Sequence, residues 1–334
     1  MQGRMLFAVS ACAFVLAYCV VVLGAYVRLS DAGLGCPDWP GCYGHMVVPD
    51  SGQATSKAYA GTTIHRGKAW KEMIHRYAAG TLGLLIFTIT VLAWRQRRRV
   101  VSPAIATLLA LLVVGQALLG MWTVTRLLTP AIVTAHLLGG MTILALLFWL
   151  VLSQLFMVNS EDTDRGLRPW VILGLAVLAC QIFLGGWTSS NYAALICPEF
   201  PTCRGGAWFP PVNFGEAFTL WNGAGTNYDG GVLDAAGRTA IHMSHRIGAL
   251  VTFVVLCAVA VRALRARPRL IKKVGVVLPL VLLLQIGLGI SNVVFILPLP
   301  VAVAHNGVAA LLLLVLVALL YLSRSKEMSL KQPR

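Results

Sequence analysis

Four histidines occur in this chain as two pairs at almost the same spacing, and imidazole is a common metal ligand. His75 and His136 lie in the first half of the chain, and His245 and His305 lie in the second. Neutral imidazole binds transition metals and haem iron well. A porphyrin held between helices, with one histidine on each side, requires such pairs. The pattern predicts that at least one pair ligates haem, most simply within a half, although pairing across the halves stays open.

Other residues around these histidines repeat in the same order. Gln116 precedes His136 by twenty residues, and Gln285 precedes His305 by twenty. Cysteines separated by five residues lie upstream of each first histidine: Cys36 with Cys42, and Cys197 with Cys203. Glycines also correspond between the halves: Gly24 with Gly185, and Gly120 with Gly289. A shared apolar composition does not explain these spacings, so we interpret the chain as an internal repeat.

The two halves differ beside the first histidine. Glu72 precedes His75 by three residues, whereas His242 occupies the equivalent place before His245. This spacing puts the two side chains on one helical face. The difference suggests that one half performs chemistry and the other passes electrons or holds structure. A carboxylate near a helix start is also favoured by the helix dipole, which leaves its role open. A zinc site at His242 and His245 is an alternative that lacks a visible third ligand.

Arginine follows the first histidine of each half, as Arg76 and Arg246. Guanidinium groups pair well with carboxylates, so both arginines are candidates for binding the propionates of haem. Snorkelling towards the membrane interface is the alternative for both. Arg28 and Arg126 are weaker candidates for the same role.

The four loop cysteines are expected to form two short-range disulfides, Cys36–Cys42 and Cys197–Cys203, because they face an oxidising compartment. A redox role, in which these thiols pass electrons or capture substrate, is the alternative. The other four cysteines lie inside apolar segments and are expected to pack there.

The helices that must position these residues are membrane spans. Hydrophobic residues make up 58% of the chain and charged residues 12%, and the mean hydropathy is +0.78. Eight apolar stretches are long enough to cross a bilayer: 5–27, 71–94, 103–125, 130–157, 169–190, 238–262, 274–296 and 301–323. The predicted fold is an all-α integral membrane protein with two pseudo-symmetric four-helix bundles, residues 1–160 and 161–334, as a parallel repeat.

The charges predict the orientation of these spans. The net charge is +15, but basic residues cluster at the ends of apolar runs, which argues against nucleic-acid binding. The strongest basic runs, 95–99 and 262–273, are predicted to be cytoplasmic. Both termini are then cytoplasmic, and the long loops 28–70 and 191–237 face outward. The four histidines are predicted to lie in one layer, about 6–11 Å below the outer helix ends.

The sequence resembles one known family. Glu72-Met73-Ile74-His75-Arg76 is similar to the E-x-x-H-R motif of the haem A synthases, the CtaA family. The segment from Arg28 to Pro40 resembles the loop that follows the first helix of that family. The resemblance covers nearly the whole chain, with four matching histidines and, in both loops, the cysteines of the disulfide-bearing bacterial branch.

The resemblance implies a function and site roles. The family oxidises the methyl group at ring position 8 of haem O to a formyl group, by successive hydroxylations and loss of water. The product, haem A, serves terminal oxidases. His245 and His305 are expected to hold a haem b cofactor, and haem O to bind near His75 and His136, with Glu72 needed for catalysis. A haem O synthase as donor, a membrane electron acceptor and oxidase assembly factors are the implied partners, in a bacterial inner membrane.

Two other functions fit the residues alone. A di-haem b-type quinol oxidoreductase would carry electrons without altering haem, but it predicts symmetric sites, against which the Glu72/His242 difference counts. A haem transporter or chaperone would bind haem and release it unmodified, and the parallel repeat permits that.

Overall fold

The computed structural model describes residues 2–50, 59, 63–95, 101–156, 164–221, 223 and 225–324. Within these residues the chain forms nine α-helices: α1 (Gln2–Leu29), α2 (Arg66–Arg95), α3 (Pro103–Thr125), α4 (Pro130–Leu155), α5 (Arg168–Ser190), α6 (Phe214–Ala217), α7 (Ala235–Arg265), α8 (Arg269–Val294) and α9 (Leu299–Leu322). All except the short α6 are long and apolar enough to cross a membrane. The predicted all-α membrane fold with eight spans is confirmed.

Large apolar side chains on the outside of the helices show what surrounds this protein. Leu84, Leu111 and Leu280 expose 70%, 66% and 62% of their surface, respectively. A water-soluble protein rarely leaves a continuous apolar surface of this kind uncovered. Helices satisfy their own backbone hydrogen bonds, so they can present such a surface to lipid.

Two helices begin earlier than predicted, and this changes the depth of their histidines. Helix α2 begins at Arg66, nine residues before His75, and α7 begins at Ala235, ten residues before His245. At 1.5 Å per residue these histidines lie about 13–15 Å from their helix starts, so the predicted 6–11 Å is wrong for them. Polar first turns carry both helices beyond the apolar segment.

The helices of each half pack in a closed ring. In the first half α1 contacts α2 and α4, and α3 contacts the same two helices. In the second half α5 contacts α7 and α9, and α8 contacts the same two. The halves meet where α1 and α4 contact α9 and where α4 contacts α5. The pseudo-symmetry of the halves and their boundary at residue 160 stay predictions.

Some of the residues that predict orientation fall outside the described part of the chain. Residues 96–99 of the first basic run and residues 325–334 of the tail are not described. The second run surrounds the junction of α7 and α8, where Arg262 and Arg265 lie in the last turn of α7. The cytoplasmic location of the termini therefore stays a prediction.

Candidate functional site

A cavity of about 590 Å³ lies in the first half, with His75 and His136 both in its wall. This volume is in the range of sites that hold small molecules and cofactors. Most of the lining is apolar, including Val20, Leu82 and Ile143. The structure therefore brings the first histidine pair together around a space large enough for a ligand.

Each of the four histidine rings lies against a glycine of a neighbouring helix. A Cβ atom added at these glycines would stand 3.1–3.4 Å from the Cε1 atom of a ring, in the pairs Gly24–His75, Gly120–His136, Gly185–His245 and Gly289–His305. Such distances are too short for an unstrained contact. The repeated glycines are thus explained by the space that the rings occupy, a role the sequence did not predict.

Three of these histidines have a ring nitrogen with no partner inside the protein. The Nδ1 atoms of His75, His136 and His305 are buried without a hydrogen bond within the described residues. A buried polar atom without a partner is unfavourable and needs an explanation. His75 and His136 lie in the wall of the cavity, so a bound metalloporphyrin would make use of their otherwise unpaired rings.

The second pair consists of His245 on α7 and His305 on α9. Two amide side chains contact these rings. The Nε2 of Gln181 lies 3.1 Å from the Nδ1 of His245, and the Nε2 of Gln285 lies 3.3 Å from the Nε2 of His305. In the repeat, Val20 occupies the place of Gln181, so this contact distinguishes the second site from the first.

Glu72 lies in the wall of the cavity and is 5% exposed. Its Oε2 accepts a hydrogen bond from the backbone N–H of Cys36 at 2.9 Å. Its Oε1 forms an ion pair with Arg76, one helical turn further along α2. The carboxylate is therefore held in place beside the cavity by the loop between α1 and α2 and by its own helix.

Both arginines that follow the histidines bind loop backbone. Arg76 donates to the carbonyl oxygens of Asp38 and Pro40 at 2.8 and 3.2 Å. Arg246 donates to the carbonyls of Glu199 and Thr202 at 2.7 and 2.8 Å. Each guanidinium group thus fastens a disulfide-bearing loop to the helix that carries the histidine. The sequence did not predict this role, and binding of propionates by these two arginines stays a prediction.

His242 has hydrogen-bond partners on both ring nitrogens. Nδ1 lies 2.9 Å from the carbonyl oxygen of Ala193, and the Nε of Arg246 donates to Nε2 at 2.8 Å. A carbonyl can only accept and an arginine can only donate, so His242 is the neutral tautomer with hydrogen on Nδ1. In the part of the chain that the structure describes, no three His, Cys, Asp or Glu side chains form a metal cluster. The zinc alternative therefore lacks ligands.

The loop cysteines form disulfides, Cys36–Cys42 with an S–S distance of 2.00 Å and Cys197–Cys203 with 2.01 Å. All four cysteines are at most 2% exposed. Burial favours a structural role, because thiol exchange needs access to a sulfur atom.

An acidic residue organises each of these loops. Asp38 accepts hydrogen bonds from the backbone N–H groups of Tyr43 and Gly44 at 2.6 and 2.7 Å. Glu199 accepts from those of Gly205 and Gly206 at 2.8 and 2.9 Å. These backbone hydrogen bonds lower the pKa of Glu199. The repeated order cysteine, proline, acid was visible in the sequence and could have identified both residues.

The contact between Gly289 and His305 can be tested with a matched control on the same helix. Gly289→Ala places a methyl group against His305, whereas a Cβ at Gly287, two residues earlier on α8, meets nothing within 4 Å. Because the second histidine pair is predicted to ligate haem, displacing the ring is expected to weaken haem binding by this pair about tenfold or more. Haem titration of the two purified variants measures this. Equal haem affinity in Gly289→Ala and Gly287→Ala would contradict the ring contact.

Comparison with known proteins agrees with this arrangement. The family described as cytochrome oxidase assembly protein matches residues 7–317. A haem A synthase of Shewanella oneidensis is 45% identical over 293 residues, which are 86% of this chain and 87% of that protein. A haem A synthase of a Caulobacter species is 27% identical over 300 residues, 83% of each chain. The chain therefore belongs to the cytochrome oxidase assembly protein family that contains the haem A synthases.

Proposed function

We propose that this protein converts haem O to haem A, oxidising the methyl group at ring position 8 to a formyl group. The observation that carries the proposal is the cavity of the first half, which has two histidines and a buried carboxylate in its wall. The relatives named haem A synthase support the same reaction. This is an oxidoreductase activity on a C–H bond, with successive hydroxylations and loss of water.

The cavity of the first half is proposed as the substrate site. His75 and His136 bind the iron of haem O, and Gly24 and Gly120 leave room for their rings. The apolar lining from α1, α2 and α4 suits the macrocycle and the isoprenoid tail of the substrate. An apolar enclosure also limits the access of water to the reacting methyl group.

Glu72 is proposed as the catalytic group. Its position in the cavity wall lets it accept a proton from the substrate, or stabilise positive charge that develops at the methyl carbon. The second half has His242 in the equivalent place, and both nitrogens of that ring are occupied. This difference supports chemistry in the first half alone.

The second half is proposed to hold haem b between His245 and His305. When bound, haem b supplies one-electron transfer between the substrate site and an acceptor. Gln181 and Gln285 contact the two imidazole rings through their amide groups. With the amide oxygen turned toward the ring, each would accept the N–H of an imidazole whose other nitrogen binds iron. The first site lacks a counterpart of Gln181, so its first histidine ring has one contact fewer. A less firmly held ring suits a site that must bind haem O and release the product.

The proposed setting is a bacterial inner membrane, with both termini cytoplasmic and both disulfide-bearing loops periplasmic. A haem O synthase in the same membrane is the proposed donor, because the apolar substrate would not cross water readily. A membrane electron acceptor and oxidase assembly factors complete the proposed set of partners.

Expression of this protein together with a haem O synthase tests the reaction. Haem extracted from these cells is expected to contain a product that has gained one oxygen and lost two hydrogens relative to haem O, as mass analysis detects. A strain with the haem O synthase alone is the control. Recovery of haem O only would contradict the proposal and favour the electron carrier or the haem transporter.

A further inference from the structure

Arg28, in the last turn of α1, lies in the wall of the first-half cavity and binds residues of the second half. Its Nη2 donates to the carbonyl oxygen of Ser189 at 2.7 Å. Its Nη1 donates to the hydroxyl of Tyr192 at 3.1 Å, and the guanidinium carbon lies 4.3 Å from the centre of that ring. The side chain therefore joins the two halves beside the cavity.

The positive charge of Arg28 has no carboxylate partner within the described residues. The hydrogen-bond acceptors of its two Nη atoms are neutral, and its Nε is buried without a partner. Arg76, the other arginine in the cavity wall, is neutralised by Glu72 and is occupied by loop carbonyls. A cation without a direct carboxylate partner at the wall of an apolar cavity is well placed to bind an anionic group of the ligand.

The long second outer loop holds Arg28 in position. The Tyr192 hydroxyl donates to Asp229 at 2.7 Å, while it accepts from Arg28. Burial raises the pKa of Tyr192, so the phenol keeps the proton that this donation requires. Nearby, the backbone N–H of Tyr228 donates to the carbonyl of Leu127 in the first half. The loop that follows α5 thus reaches across to the substrate half at this point.

Arg28 also lies at a position along α1 where the edge of a macrocycle bound by His75 could reach it. It follows Gly24 by four residues, so both face the same side of α1. Gly24 contacts the ring of His75, and one helical turn places Arg28 about 6 Å further outward. The repeat position in the second half is Ser189, which has no charge. Arg126, the other weaker candidate for binding propionates, is exposed and is not among the residues that line this cavity.

We propose that Arg28 binds a propionate carboxylate of the tetrapyrrole in the first-half cavity, with Tyr192 and Asp229 positioning the guanidinium group. The inference rests on the proposed function for the identity of the tetrapyrrole as haem O. Arginine matches a carboxylate with paired N–H donors, which a lysine cannot reproduce. The long second loop then contributes to substrate binding in the opposite half.

Binding of haem O and of its dimethyl ester to the full-length purified protein tests this role, because the ester lacks both carboxylates. With the second-half haem in place, absorbance titration is expected to show about 10- to 100-fold tighter binding of the free acid in the unchanged protein. Arg28→Gln is expected to lose most of this preference and to bind the ester with unchanged affinity. Arg66→Gln, which alters an exposed arginine paired with Asp50, is expected to keep it.

Two further variants keep the test decisive. Arg28→Lys retains the charge without the paired donors, and Tyr192→Phe retains Arg28 without its hydroxyl partner, so both are expected to show an intermediate preference. An unchanged second-half haem spectrum shows that each variant is folded. The proposal would be overturned if Arg28→Gln kept the full preference for haem O over its dimethyl ester. It would also be overturned if Arg28→Lys and Tyr192→Phe both kept that full preference. Failure of the unchanged protein to convert bound haem O would contradict the proposed function and leave the Arg28 result standing.

Discussion

Replacement of His245 or His305 by glycine is expected to remove the low-spin haem spectrum of the purified protein. Two imidazole ligands give six-coordinate, low-spin iron, and loss of one ligand opens a coordination position and weakens retention of the haem. The rings lie so close to Gly185 and Gly289 that a Cβ atom added at either glycine would stand 3.2 or 3.1 Å from a ring atom. Absorbance spectra and the amount of haem bound per protein chain measure the effect.

Added imidazole provides a chemical control for this prediction. A free imidazole molecule fits the space that the ring leaves, so it is expected to restore part of the low-spin spectrum in His245→Gly and His305→Gly. His65→Gly, at an exposed position just before α2, is expected to keep the full spectrum. A low-spin spectrum of normal intensity in both ligand variants would contradict the assignment of this pair.

Glu72→Gln is expected to retain bound haem and to slow conversion of haem O by about 10²- to 10⁴-fold, the usual contribution of a proton-transferring group. Glutamine keeps the shape of the side chain and can still accept the hydrogen bond from Cys36, but it carries no charge and is a far weaker base. The rate of haem A formation by the purified variant, supplied with haem O, measures the change.

Two comparisons separate catalysis by Glu72 from its contact with the first loop. The affinity for haem O is expected to change little in Glu72→Gln, whereas a loop that detached would weaken binding as well. Asp50→Asn alters an exposed carboxylate that pairs with Arg66 and is expected to leave the conversion rate near normal. Conversion of haem O at the normal rate by Glu72→Gln would show that the carboxylate is structural.

Helix α9 contributes residues to both proposed sites. His305 belongs to the second site, and the next residue, Asn306, lies in the wall of the first-half cavity together with Gly186 and Ser189 of α5. The repeat counterpart of Asn306 is Leu137. One helix therefore carries a ligand of the proposed haem b and a polar side chain of the substrate cavity at adjacent positions.

The membrane fold and the histidine pairs were predictable from the sequence for physical reasons. Hydropathy is a local property, and a helix that crosses lipid must be apolar over about 20 residues, so eight spans could be counted directly. The spacing of His75 and His136 nearly recurs at His245 and His305, which made the two pairs recognisable in the sequence. The helix starts were predicted less well, because the polar first turns of α2 and α7 lie beyond the apolar segments that identify a span.

The contacts between distant residues were decided only by the tertiary structure. Nothing in the spacing of Arg28 and Tyr192 indicates that they meet, and nothing near Arg76 indicates that it binds carbonyls of the first loop. These contacts depend on how each helix is rotated about its axis and on where each loop returns, and packing of the whole molecule sets both. The sequence therefore determined which residues could hold haem, whereas the folded structure determined how far each histidine lies from its helix start and which charges surround each site.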